Sequence, residues 1–101
     1  MLTKKALKDI YAIEEKKILD MVEKTIDEML RSTVLNKALV GTVTVEVPYT
    51  KPLKTKILEL VDRYKNEYGG AFSIIHPTNI KETSTVWKPT FTIQLQSILD
   101  E

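Results

Sequence analysis

The sequence predicts an α+β fold: a two-layer sandwich in the order α-β-α-β-β, with a three-stranded mixed sheet and, on one face of it, a long N-terminal helix and one crossover helix. Three observations carry the prediction. Residues 3–39 contain neither proline nor glycine. Between Gly41 and His76 an alternating strand, an amphipathic helix and a second strand follow one another with almost no connecting residues. From Val86 to Ile98 the chain alternates again between apolar and polar residues. At 101 residues there is room for one core, so residues 1–101 form a single domain: a long helix or helix pair over 1–40 and a βαββ unit over 41–101.

The first element is rich in good helix formers, with Thr3 placed to cap its start and Ser32-Thr33 the point where two helices would join. Opposite charges four residues apart (Lys5 and Asp9, Lys16 and Asp20, Asp20 and Lys24, Asp27 and Arg31) support a helix. Its apolar residues do not form one stripe. Ile18, Val22, Ile26, Met29, Leu30 and Thr33 share a face, whereas Leu7, Ile10, Tyr11 and Ile13 lie on a rotated one beyond the cluster Glu14-Glu15-Lys16-Lys17. A continuous helix of this length would span about 50 Å at 1.5 Å per residue, more than a compact domain of this size is wide. Its N-terminal part therefore folds back or meets another copy of the chain.

Val43, Val45 and Val47 alternate with Thr42, Thr44 and Glu46, the period of a half-buried strand that Pro48 should end. Thr50 or Lys51 then caps a helix that has Pro52 in its first turn, where the missing amide hydrogen costs nothing. Leu53, Ile57, Leu60, Val61, Tyr64 and Tyr68 make its apolar face, and Gly69-Gly70 stops it. Residues 71–76 form the second strand, closed by Pro77. In the third, Phe91, Ile93 and Leu95 alternate with Thr90, Thr92, Gln94 and Gln96. The first two strands and their helix fit a right-handed crossover, and the last two an antiparallel hairpin. Pro89 keeps the start of the third strand out of a fully paired central position.

Composition narrows the function classes. Fifteen Lys and Arg against 14 acids leave a net charge of +1, with no global field to gather nucleic acid or anionic membrane. The absence of cysteine removes disulfides, thiol nucleophiles and thiolate metal sites and suits a reducing cytoplasm. No apolar run is long enough for a signal peptide or a membrane span, so a soluble, cytoplasmic protein without membrane contact is expected.

Candidate chemistry is sparse. His76, the only histidine, ends a strand, and its only local helpers are Glu82, Ser84 and Thr85; a strand-end histidine bonded to backbone explains it more simply. The adjacent acids Glu14-Glu15 and Asp27-Glu28 diverge around a helix and read as solvated surface. Gly69-Gly70 follows a helix, the wrong end for a phosphate loop. No catalytic, cofactor-binding or metal-binding residues are therefore assigned, no cofactor is expected, and the chain reads as no enzyme.

Two binding surfaces remain. Leu7, Ile10, Tyr11 and Ile13 are candidates for self-association, which makes a homodimer, or a further protein partner, the leading expectation. The expected function is a small interaction or regulatory module, in composition like an accessory protein of a low-GC bacterium or a phage. The alternative is a nucleic-acid-binding domain that uses the second helix and the loop Thr78 to Lys88, through Lys51, Lys54, Lys56, Arg63, Lys81, Trp87 and Lys88, with Tyr49 and Trp87 to stack on bases. The element order resembles the later part of a βαβαββ arrangement found in several small nucleic-acid-binding folds, without a residue motif to accompany it. A third surface, the wet sheet face of Thr42, Thr44, Glu46, Ser73, Thr90, Thr92, Gln94 and Gln96, reads as solvated.

Overall fold

The computed structural model describes residues 1–75 and 85–100. Helix α1 is one unbroken helix, Lys4–Leu35. The Thr3 hydroxyl accepts the Ala6 amide at 3.0 Å, as the sequence led us to expect. At the other end Asn36 caps, and Lys37 turns the chain with φ 57°, a left-handed conformation that few side chains adopt. Ser32-Thr33 makes no break: the helix runs through it, with the Thr33 hydroxyl donating back to the Met29 carbonyl at 2.7 Å. Ion pairs form at Glu14–Lys17 and Glu15–Lys56 among the described residues, not at the four-residue spacings. Exposed pairs of that kind gain too little to hold two long side chains in one geometry.

Strands β1 (Val40–Thr44) and β2 (Val47–Pro48) lead into α2 (Lys51–Tyr68), and β3 (Phe72–Ile75) follows through a short 3-10 turn at Gly69–Ala71. Thr50 caps α2 by accepting the Leu53 amide at 3.3 Å, and Gly69 ends it at φ 62°. Next come β4 (Val86–Trp87), β5 (Thr90–Gln94) and a short helix α3 (Leu95–Leu99), which replaces the end of the expected third strand.

The sheet order is β1-β5-β3, and β5 is antiparallel to both neighbours. The two-layer α+β architecture stands, but the mixed sheet becomes an antiparallel one: α2 carries the chain over a gap that β5 later fills. β1 and β3 run parallel to each other without touching.

The register explains the smaller pair. Val40 faces Gln94 and Thr44 faces Thr90, while Val47 faces Trp87 and Pro48 faces Val86, so partner numbers fall in step throughout. The Val45 amide donates to the Pro89 carbonyl, and Tyr49 to Thr85. β1-β2 and β4-β5 are thus one long antiparallel ribbon, interrupted where Pro89 has no amide hydrogen to give. Pro48 does not end the ribbon but lies within it, in a two-stranded part where proline is tolerated.

Period two along this ribbon fills the core. Val45 and Val47 on one arm and Trp87, Phe91 and Ile93 on the other point inward. They meet Val22, Ile26 and Met29 of α1 and Leu53, Ile57, Leu60 and Val61 of α2. Phe72 stacks against Tyr64 at 5.1 Å and Phe91 at 6.4 Å between ring centres. The Tyr64 hydroxyl donates to Asp27 at 2.7 Å and fastens α2 to α1. Burial and this bond together raise the pKa of Tyr64 above the usual phenol range.

Glycine at 41 is required by space. A Cβ built there would lie 1.8 Å from the Thr33 hydroxyl and 3.0 Å from the Met29 sulfur. Only a bare backbone lets α1 approach β1 this closely.

Candidate functional site

The molecule measures 57 × 27 × 22 Å, with a radius of gyration of 15.8 Å against the roughly 13 Å usual for a compact chain of this length. The excess is the N-terminal end of α1. Its first buried residue is Glu15, and the core contacts begin in earnest at Ile18, Leu19 and Val22. Before Glu15 the helix carries apolar residues into solvent: Leu7 is 55% exposed, Ile10 48%, Tyr11 41% and Ile13 59%.

Two contacts stop the projection from swinging freely. The Tyr11 hydroxyl bonds to the Thr50 hydroxyl at 2.5 Å, and Thr50 already caps α2. One turn further on, Glu15 is 4% exposed and its Oε1 accepts from Lys56 of α2. The hydrogen bond and then the charge of Glu15 raise the Lys56 pKa above the usual ammonium range. Glu15 is therefore not solvated surface: it seals the place where α1 leaves α2, a role its sequence neighbours cannot reveal.

The apolar residues form a patch on one side of the rod. Leu7, Ile10, Glu14, Lys17 and Met21 follow one another at steps of three and four residues, a coiled-coil seam with Ala6, Tyr11 and Ile13 beside it. Leu7 and Ile10 supply two apolar layers; Glu14 and Lys17, paired at 3.1 Å, make the next two polar. Met21, exposed on the same line, was missed by sequence reasoning, although the heptad spacing could have found it. A second exposed apolar group, Val34, Leu35, Leu39 and Val40, at the corner between α1 and β1, was also missed.

The candidate nucleic-acid residues are dispersed. Lys51 is exposed in the first turn of α2, Lys54 lies over the Tyr49 ring at 5.9 Å, and Lys56 is engaged by Glu15. Arg63 and Lys56 border a groove between α1 and α2 together with Asp20, Glu23 and Glu59, so acids offset the bases there. Lys88 is exposed beside the ribbon's interruption. Trp87 is 1% exposed and belongs to the core, which corrects its expected role as a stacking platform. Its parity with Phe91 and Ile93 was the available signal. Lys81 and His76, with Glu82 and Ser84, lie outside the described residues.

The wet sheet face is open to solvent but internally bonded: the hydroxyls of Thr44 and Thr90 are 2.8 Å apart and those of Thr42 and Thr92 3.5 Å. Gln96 does not belong to it, since the chain has turned into α3. Among the described residues no three histidines or acids are grouped closely enough to hold a metal ion, and no helix is long and apolar enough to cross a membrane. No protein-family model matches the chain, and comparison with curated proteins and with solved structures returns no significant match.

Proposed function

We propose that this chain is a non-enzymatic interaction module that associates with a second copy of itself through the projecting end of α1, most simply as a two-fold dimer with a regulatory or accessory role in a reducing cytoplasm. The observation that carries this reading is the exposure of Leu7, Ile10, Tyr11 and Ile13 on a helix end that projects beyond the core. Removing such side chains from water favours association by roughly 25 cal/mol per Å² of apolar surface, before the cost of immobilising a partner. An isolated helical extension would tend to fray; one fastened by Tyr11–Thr50 and Glu15–Lys56 presents its apolar side in a fixed orientation. Sedimentation velocity from low to high micromolar concentration tests it. The expected result is reversible dimerisation that the double substitution Leu7→Glu, Ile10→Glu abolishes while circular dichroism stays native. A strict monomer at high micromolar concentration overturns the reading.

A further inference from the structure

We propose that the two copies pair their N-terminal helices antiparallel, in the register that sets Leu7 of one beside Ile10 of the other, with Lys4 of each copy held by Glu14 of its partner. This rests on the self-association proposed above and adds its orientation.

The argument is charge complementarity along the seam. In a parallel, in-register pair, Leu7 and Ile10 would meet their own copies, but the next two seam positions would set Glu14 on Glu14 and Lys17 on Lys17. Like charges in successive layers oppose that arrangement. Reversing one helix about a point between residues 8 and 9 keeps both central layers apolar, Leu7 against Ile10 and Ile10 against Leu7. It also moves the two Glu14 side chains about 16 Å apart along the axis. Each Glu14 then lies level with Thr3 and one residue from Lys4 of the other helix, and both Glu14 and Lys4 are exposed. Among the described residues Glu14 is held within its own chain by the solvent-exposed pair with Lys17. A register shifted by one heptad would oppose Leu7 with Lys17 and Ile10 with Glu14, so composition selects the first. The core does not obstruct the pairing, since the residues of α1 that face α2 and the sheet, Glu15, Val22 and Ile26, lie about a third of a turn around from the seam.

Two sets of variants test the orientation in the full chain. Reversing one charge, Lys4→Glu or Glu14→Lys, loses both symmetry-related pairs and should weaken dimerisation about tenfold, and the double reversal should restore it to within about twofold. Because the chain has no cysteine, Lys4→Cys and Glu14→Cys are clean probes. Neither should form a disulfide dimer alone, whereas an oxidised mixture should give the mixed dimer, because a disulfide needs Cα atoms within about 7 Å. Efficient self-cross-linking of each single cysteine variant, or charge reversals without effect on a wild type that does dimerise, overturns the antiparallel pairing and leaves self-association standing. A monomeric wild type overturns both.

Discussion

The two ends of α1 are the same helix under opposite constraints. From Ile18 to Thr33 its apolar side is buried against α2 and the sheet, with the Thr33 hydroxyl over Gly41. From Lys4 to Glu14 a comparable density of apolar residues meets water, tied to α2 among the described residues by the Tyr11–Thr50 bond and, one residue beyond, by Glu15–Lys56. Helix propensity and charge pattern are alike in both halves, so neither tells anchored from free. What differs is direction: the apolar side of the N-terminal end is rotated away from the side of α1 that packs on α2 and the sheet, so among the described residues the same packing does not cover both.

The largest effect should come from truncating equivalent residues in the two halves. Ile26→Ala removes a fully buried side chain and should cost about 3 to 4 kcal/mol of unfolding free energy. Ile10→Ala, measured below any dimerisation concentration, should change stability by less than about 0.5 kcal/mol. Urea denaturation of both variants decides; comparable losses would mean that the projecting end is part of the core.

The helix-to-strand contact can be broken from the strand side. Gly41→Ala places a methyl against a β-branched, internally bonded threonine and should cost about 2 kcal/mol. Adding Thr33→Ala should recover part of that loss, because it removes the nearer obstacle. A neutral Gly41→Ala would show that α1 can lift off β1 and that its anchoring is looser than the distance implies.

Tyr64→Phe tests the tie between α1 and α2 and should cost about 1 kcal/mol near neutral pH. Its pH dependence has a definite sign. The folded pKa lies above the ordinary value, so above pH 10 the unfolded chain gives up its phenolic proton first and stability falls as pH rises. That alkaline decline should be shallower in Tyr64→Phe, as thermal melts at pH 9 to 11 would report.

Much of this comparison was legible in the sequence, and the illegible parts share a cause. Thr3, Thr50, Pro52 and Gly69 act through neighbours within four residues, and each does what its spacing implied. Val43, Val45 and Val47 needed only period two. Trp87 was misread because Lys88-Pro89 interrupts the apolar alternation that places it in line with Phe91. Glu15 was misread because its partner is Lys56, 41 residues on in another helix. The central position of β5 was hidden for a similar reason, since Thr90, Thr92 and Gln94 look the same on an edge strand as on a middle one. Local chemistry was readable, whereas the meetings of distant segments were not.

The smallest effect lies where the anchored half of α1 ends. Lys37 at φ 57° turns the chain from α1 toward β1, while α2 makes its corresponding exit with Gly69 at φ 62° and open space where a Cβ would be. A left-handed lysine carries steric strain of about 1 kcal/mol that glycine does not, but glycine also loses more conformational freedom on folding, which returns part of the gain. Lys37→Gly should therefore raise stability by about 0.5 kcal/mol, and Gly69→Ala should lower it by about 1 kcal/mol. Both changes are expected only if each corner forms in the same cooperative transition as the core. A stabilising Lys37→Gly with an unchanged denaturant slope would place the α1 exit inside that transition, and the anchored half would then run through the corner into β1.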